Sequence, residues 1–358
     1  MADLPPVAIT GLAAVSALGR GTEPQLAAAL SATAAFGPVD RFDVSGRRVG
    51  VAATLAGAGT LTAELAGVIE TACAEARLSS AQRAATPLLL ALHGSPAASS
   101  CARELARQAG LAGAGRVYIG ACVSASTAVA DAAALIRRGA DRVVVAAGYL
   151  VEPDQFALFD AGQALATDGA VRPFSAGRQG LLLGDAVAAM VFESAAASEP
   201  VAELVGWGRA GDAHHPCQPA PDGRGLARAI DAALGRAGVQ AHQIGYVNAN
   251  ATGTQLSDAA EARALHRALG EFADRVPVSS TKAVHGHGLE ASGLLELLIT
   301  VLSLRAGKLP VNAGYLGPDD SCALDVIVDS PRPVTSPYAL SLNSAFGGAN
   351  TALLVRAG

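Results

Sequence analysis

One cysteine stands where a thiol can act as a nucleophile. Cys122 lies in the sequence GACVSAS, directly after an apolar run that predicts a buried strand (116–121) and directly before an Ala-rich run that predicts a helix (124–138). A thiol at a helix N-terminus feels the positive end of the helix dipole, which favours the thiolate, and the free N–H groups there can hold an oxyanion. The alternative is an inert buried cysteine, the commoner fate of a free thiol. Position alone leaves both interpretations open.

A second cluster combines a lysine with two histidines in a glycine-rich loop. Lys282, His285 and His287 lie in STKAVHGHGLEASG, residues 280–293, which opens a predicted helix. The only other lysine of the chain is Lys308, which argues against Lys282 being surface filler. A histidine here can serve as a base or donate a hydrogen bond to a developing oxyanion. A helix-capping loop with exposed imidazoles is the alternative.

Two further polar turns are candidates for ligand contact. The segment VNANATGT (247–254) follows a predicted strand and precedes a helix, the place where α/β proteins bind ligands. Its Asn248 and Asn250 could instead satisfy the backbone of a turn. The segment NSAFGGAN (343–350) sets Phe346 beside two glycines, which permit mobility and close backbone approach. A glycine-rich turn alone is weak evidence.

The elements that position these residues alternate between strands and helices. Strand, helix and strand across 116–147 form a βαβ unit, which predicts a parallel sheet covered by helices. The second half repeats this order, and the small, polar, proline-ended segment SAAASEP (194–200) is the best boundary. We therefore expect two similar α/β halves, 1–197 with the cysteine and 198–358 with the Asn, His and Lys loops. Strands are predicted at 6–10, 116–121, 142–147, 185–193, 201–207, 244–248 and 323–328, helices at 24–34, 63–78, 98–110, 124–138, 225–237, 257–269 and 291–305, and a final hairpin around 341 and 352–355.

Composition narrows the class of protein. The 358 residues are 51% hydrophobic and 16% charged, with net charge −5 and no basic block, so disorder and nucleic-acid binding are not expected. The amino terminus lacks a signal-peptide pattern, and no apolar run is long enough to span a bilayer. Five cysteines without a CxxC motif indicate reduced thiols in a cytoplasmic protein. The segment HHPC (214–217) has too tight a spacing for a metal site, so no metal is expected.

Taken in order, the four clusters resemble the β-ketoacyl-[acyl-carrier-protein] synthase family of the thiolase superfamily, almost from end to end. GACVSAS resembles its active-site cysteine motif, VNANATGT its VNAHGTGT, STKAVHGHGLEASG its STK…GH…AAG, and NSAFGGAN its glycine-rich gating loop. Residues 7–19 and 172–185 also resemble family segments. The resemblance implies a thiolase-like fold, two βαβ-rich halves in a five-layered α-β-α-β-α arrangement.

The resemblance also assigns roles to individual residues. It makes Cys122 the nucleophile, with its own N–H and that of Phe346 as the oxyanion hole. It places Asn250, His287 and Lys282 in the catalytic set. It assigns substrate binding and gating to Phe346, Gly347, Gly348, Thr252 and Thr254.

Departures from the family pattern fall on the same site. Asn250 stands at the first catalytic histidine position and Ala251 at the following glycine, while His285 occupies a position that is usually apolar. Ser344 and Ala345 replace an aromatic residue and a glycine of the gating loop. The region before Cys122, which in the family helps form the dimer interface and the acyl pocket floor, is shorter than in typical members. An asparagine cannot titrate, but its NH₂ can donate to a thioester carbonyl.

Three functions remain open. The first is a condensing enzyme that elongates acyl thioesters of acyl carrier protein in fatty-acid or polyketide biosynthesis. The second is a non-elongating acyltransferase that uses the same cysteine. The third is a non-catalytic, chain-length-factor-like subunit paired with an active ketosynthase; the retained Cys122 argues against it and Asn250 argues for it. By resemblance the acyl groups arrive on phosphopantetheine, no cofactor is needed, and the chain forms a homodimer or heterodimer.

Overall fold

The computed structural model describes residues 6–194 and 200–358, whose helices and strands alternate along the chain. The predicted boundary between residues 197 and 198 lies outside the described residues. The strands are β1 Val7–Ser16, β2 Gly19–Arg20, β3 Gly37–Pro38, β4 Val51–Ala52, β5 Pro87–Leu92, β6 Gly113–Tyr118, β7 Arg142–Tyr149, β8 Ala186–Ser194, β9 Ala202–Gly211, β10 Ile244–Asn248, β11 Pro277–Ser279, β12 Lys308–Leu309, β13 Asp325–Val326, β14 Arg332–Pro333, β15 Tyr338–Ser344 and β16 Ala349–Ala357.

The helices lie between these strands in the sequence. They are α1 Thr22–Ser31, α2 Leu61–Glu75, α3 Ser80–Ala84, α4 Ala98–Gln108, α5 Ser124–Ile136, α6 Pro153–Ala161, α7 Arg224–Ala237, α8 Gln255–Leu269, α9 Lys282–His285 and α10 Ser292–Ala306. Short 3-10 helices lie at Ala121–Val123, Ala241–Gln243, Gly270–Phe272, Leu289–Ala291 and Asp320–Cys322. Within the described ranges, no helix has both the length and the apolar content that crossing a membrane requires.

One mixed sheet runs through both halves of the molecule. In the described part of the chain it has 12 strands, in the order β13-β11-β10-β15-β16-β9-β1-β8-β7-β5-β6, with β2 beside β1. The amino-terminal half contributes parallel β6, β5 and β7, and the carboxyl-terminal half contributes parallel β15, β10, β11 and β13. The halves join where β1 pairs with β9, through Val7–Ile9 and Ala202–Leu204.

Helices cover both faces of each half of this sheet. Helices α2 and α4 lie outside the amino-terminal strands, α7 and α8 lie outside the carboxyl-terminal strands, and α5 and α10 pack between the two halves. Strand β7 shows why: Val143 and Val145 face the central core, while Val144 and Ala146 face the core beneath α2 and α4. A strand buried on both faces reads as a continuous apolar run. The expected α-β-α-β-α layers are confirmed.

Most predicted elements are present, and the errors have local causes. The βαβ unit is confirmed, since β6 and β7 both run parallel to β5. The predicted strand 116–121 ends at Tyr118, because the chain turns there toward the 3-10 helix at Ala121–Val123. Strand β5 itself was not predicted: PLLLAL is a short apolar run of Leu and Ala, without the β-branched residues that mark β7 as a strand. The final hairpin is confirmed as antiparallel β15 and β16.

Gly184, just before β8, lies close to the backbone of the loop that contains His285 and His287, so a substitution there tests how the sheet positions this loop. A Cβ at Gly184 would lie 1.9 Å from the carbonyl oxygen of His285. We expect Gly184→Ala to lower the free energy of unfolding by about 1–3 kcal/mol, because an overpacked core forces the backbone to shift. Urea denaturation measures this.

The matched control is Gly235→Ala in the exposed part of α7, where a Cβ meets nothing within 4 Å. This change should stabilise by about 0.8–1 kcal/mol, the helix propensity difference between the two residues. Equal effects at the two positions would show that the contact at Gly184 does not constrain the fold.

Candidate active site

Cys122 sits at the junction between a sheet edge and a helix. After β6 ends, Ala121 adopts a left-handed conformation with φ 57°, and the 3-10 helix Ala121–Val123 leads directly into α5. A left-handed non-glycine residue is uncommon and costs free energy, so the surrounding structure holds this turn. It places the thiol at the N-terminus of α5, where Cys122 is only 8% exposed.

Burial decides the protonation of this thiol. It raises the pKa of Cys122 to about 12, the negative charge of Glu290 acts in the same direction, and the positive charge of Lys282 opposes both. Desolvation of the charged form thus opposes the effect that the helix N-terminus is expected to have on this thiol.

A backbone pairing fixes the loop that carries His287. The N–H of His287 donates to the carbonyl of Leu182 at 2.7 Å, and the N–H of Gly184 donates to the carbonyl of His287 at 3.0 Å. Between α9 and His287, Gly286 reverses the chain with φ 73°. The position of His287 therefore depends on the segment that precedes β8.

The His287 ring is neutral, and its contact with Ser292 bears on which ring nitrogen carries the proton. Its Nδ1 lies 2.9 Å from Oγ of Ser292, which also accepts the N–H of Gly288 at 2.9 Å. When the hydroxyl of Ser292 donates to Nδ1, the one proton of the neutral ring lies on Nε2. Burial first, and then the charge of Lys282, hold the pKa of His287 well below its usual range. The ring can therefore donate from Nε2 at neutral pH.

The other histidine of the loop has a structural position. His285 is fully buried, and its Nε2 lies 3.1 Å from Oγ1 of Thr281. Burial first and the Lys282 charge second lower its pKa to about 3, so it stays neutral. The expected alternative of exposed imidazoles is wrong, since both histidines are buried, and only His287 lines the cavity described below.

Two acidic residues of α8 hold the loop that contains Asn250 through hydrogen bonds. The N–H of Asn250 donates to Oε1 of Glu261 at 2.7 Å, and the N–H of Thr252 donates to Oδ1 of Asp258 at 3.1 Å. Burial raises the pKa of Glu261 to about 8, while the bond from Asn250 opposes this rise. Asn248 instead donates to the carbonyl of Glu296 and to Oγ1 of Thr300, both at 3.1 Å, which is the structural role left open for it.

A buried ion pair lies behind these loops. Nζ of Lys282 is 2.7 Å from Oε1 of Glu296, and both side chains are essentially fully buried. Nδ2 of Asn343 donates to the second oxygen of Glu296 at 2.7 Å. Lys282, placed in the catalytic set by the family resemblance, does not line the cavity itself. Its charge instead acts on its neighbours.

One cavity of about 480 Å³ collects most of the predicted site residues. Phe346, on its rim, is 53% exposed and stacks on Phe159 at 6.0 Å between ring centroids. Gly347 and Gly348 do not line the cavity but form the turn that follows Phe346. The N–H of Gly347 donates to the carbonyl of Pro216, and a Cβ at Gly348 would lie 2.9 Å from the Cβ of Asp212. The predicted residues that line the cavity are Cys122, Asn250, His287, Thr252, Thr254 and Phe346.

Several residues of the site were not found from the sequence. Phe159, on α6, and Gln163, just after it, line the cavity, but α6 was not predicted. Cys217 also lines the cavity, and His215 beside it accepts the N–H of Cys217 at 3.1 Å. Among residues 6–194 and 200–358, no group of three His, Cys, Asp or Glu side chains could hold a metal ion. Of these residues, only Cys217 lies in a segment that the sequence had singled out, HHPC (214–217).

Known families match both halves of the chain. The model described as Beta-ketoacyl synthase, N-terminal domain, matches residues 54–198, and the model described as Beta-ketoacyl synthase, C-terminal domain, matches residues 201–315. The 3-oxoacyl-[acyl-carrier-protein] synthase 2 of Staphylococcus aureus is 33% identical over 247 residues, which cover 66% of this chain and 61% of that protein. The chain thus spans less than two thirds of the length of this curated relative.

Solved structures resemble the whole chain. The ishigamide ketosynthase/chain length factor has a TM-score of 0.92 at 24% identity, covering 99% of each chain, and shows the fold. A beta-ketoacyl synthase from Burkholderia phymatum has a TM-score of 0.89 at 27% identity, covering 99% of this chain and 100% of that chain. These likenesses extend over the five layers described above.

The Lys282–Glu296 pair predicts a non-additive effect of mutation. Lys282→Met should cost about 3–5 kcal/mol of unfolding free energy, because it leaves a buried carboxylate without its cation. The double variant Lys282→Met/Glu296→Gln should recover part of this loss. Urea denaturation of Lys282→Met, Glu296→Gln and the double variant measures the coupling.

The control for this cycle is an exposed pair, Arg107 with Glu104, where Arg107→Met should leave stability almost unchanged. Losses that simply add in the Lys282 and Glu296 double variant would contradict a coupled buried pair.

Proposed function

The chain belongs to the beta-ketoacyl synthase family, and we propose that it takes acyl groups from carrier-protein thioesters onto Cys122 and condenses them with a malonyl unit. The observation that carries this proposal is the single cavity lined by a thiol, a neutral imidazole donor and a carboxamide, from Cys122, His287 and Asn250. The names of relatives such as 3-oxoacyl-[acyl-carrier-protein] synthase 2 support the substrate class.

The first step is an exchange of thioesters. The sulfur of Cys122 attacks the acyl carbonyl carbon, a new C–S bond forms, and the bond to the carrier thiol breaks. The proton of Cys122 leaves with the departing thiolate, so the exchange is balanced. The negative oxygen of the intermediate would be held by the N–H groups of Cys122 and Phe346, as the family resemblance implies.

The second step is loss of carbon dioxide from a malonyl thioester. Nε2–H of His287 and the NH₂ group of Asn250 both serve as donors to the thioester carbonyl, whose oxygen becomes negative as the carboxylate leaves. The resulting enolate carbon attacks the acyl group on Cys122, a C–C bond forms as the C–S bond breaks, and the released thiolate takes up a proton from solvent to restore the thiol. Asn250 stands where the family resemblance expects a histidine. Its amide can donate a hydrogen bond but cannot accept or release a proton, so the proposed step requires only hydrogen-bond donation at this position.

A chain-length-factor-like subunit is the second candidate. The raised pKa of the Cys122 thiol and the amide at Asn250 both weaken catalysis by this chain alone. The likeness to the ishigamide ketosynthase/chain length factor supports a heterodimer in which a second, related subunit supplies the active site. Acyl carrier protein and either a second copy or such a subunit are the proposed partners.

Acylation of Cys122 separates the two candidates. We expect intact-protein mass spectrometry to show one acyl adduct after mixing with acyl-pantetheine or acyl carrier protein, and Cys122→Ala to abolish it. Cys217→Ala, which removes the exposed cysteine of the same cavity, should keep the adduct. A folded protein without an adduct from any donor would favour the second candidate, a chain-length-factor-like subunit whose partner supplies the active site.

The amide of Asn250 sets the expected decarboxylation rates. Asn250→Ala should slow carbon dioxide release from a malonyl thioester by about 10²-fold, because one donor to the developing oxyanion is lost. Asn250→His should retain or raise the rate. Release of labelled carbon dioxide measures this, and its complete absence from the natural chain and from both variants would refute elongation by this chain while leaving acyl transfer possible.

A further inference from the structure

A carboxylate stands beside the nucleophile on a second helix N-terminus. The 3-10 helix Leu289–Ala291 packs against the one at Ala121–Val123 that contains Cys122. The first leads into α10 and the second into α5, so two positive helix ends meet around Cys122 and Glu290. Leu289 has φ 43°, a left-handed conformation that fixes the chain direction just before Glu290.

The Glu290 side chain is buried and only half satisfied. It is 4% exposed, and its Oε1 lies 2.9 Å from Nδ1 of His93, which follows strand β5 and keeps 48% of its side chain exposed. Its Oε2 is buried without a hydrogen-bond partner among the described residues. An unpaired buried carboxylate oxygen is costly, and at two helix ends it competes with a thiolate for the same positive potential.

The other charges around Cys122 act unequally. Glu290 is the largest charged influence that raises the pKa of the thiol, Glu296 is a smaller one in the same direction, and Lys282 lowers it. His287 lines the same cavity but is neutral. Lys282 is paired with Glu296 at 2.7 Å, whereas Glu290 contacts His93 through Oε1 alone and its Oε2 has no hydrogen-bond partner among the described residues.

We propose that Glu290, oriented by His93, is a positioning residue that occupies the positive potential of the two helix ends beside Cys122 and thereby restrains the reactivity of this thiol in the resting protein. The proposal rests on the proposed role of Cys122 as the nucleophile. A protonated thiol reacts slowly with chance electrophiles, because the thiolate is the nucleophilic form. Deprotonation then occurs in the substrate complex, where the proton leaves with the departing carrier thiolate.

Alkylation of Cys122 tests this without any acyl donor. The rate of modification by iodoacetamide is followed from pH 6 to pH 10, on the order of two units either side of the ordinary thiol value, by peptide mass mapping. Glu290→Gln removes the charge and keeps the shape, and should react about three- to tenfold faster at every pH of this range, because a lower pKa raises the thiolate fraction in proportion. Glu290→Asp keeps the charge and should follow the natural chain.

Two controls keep this test interpretable. Cys73 is a fully buried residue of α2, so alkylation of its peptide in the same maps reports any unfolded fraction, for which the Cys122 rate is corrected. Glu104→Gln removes an exposed carboxylate and should leave Cys122 unaffected. Equal or slower alkylation in Glu290→Gln, or the same acceleration in Glu290→Asp, would overturn the proposal. A missing acyl adduct alone would refute the catalytic role of Cys122 and leave this result standing.

Discussion

The buried ion pair between Lys282 and Glu296 is the interaction on which the site depends. It joins α9 to α10, and Asn343 on β15 donates to the same carboxylate, so three elements share one charged contact. The charge of Lys282 also acts on the groups around the cavity. It opposes the rise that burial causes in the pKa values of Cys122 and Glu261, and it adds to the fall that burial causes in the pKa of His287. Because a buried cation needs its partner, this contact holds the loops of the site together, while burial remains the largest influence on their protonation.

Around this pair, burial and helix ends act in opposite directions on one thiol. The turn at Ala121 brings Cys122 to the start of α5, where the dipole favours a thiolate, but desolvation and Glu290 favour the thiol. His287 is subject to the same desolvation and is therefore neutral. The result is a site of neutral donors around a thiol that must give up its proton during thioester exchange.

Sequence reasoning succeeds where the signal is local and fails where it is not. The helix after Cys122, the strand before Asn250 and the layered α/β arrangement follow from apolar runs and turn residues. Which histidine reaches the cavity depends on the reversal at Gly286, and the position of Lys282 behind the wall depends on Glu296, 14 residues further along the chain. The pairing of Glu290 with His93 joins residues 197 positions apart, which no local pattern reports.

The most direct measurement is the titration of the Cys122 thiol, followed by the ultraviolet absorbance of the thiolate as the difference between the natural chain and Cys122→Ser. The account predicts no thiolate signal from Cys122 below pH about 9, since burial and Glu290 keep the proton on sulfur. A thiolate that forms at pH about 7 or below, as the helix N-terminus alone would produce, would contradict it.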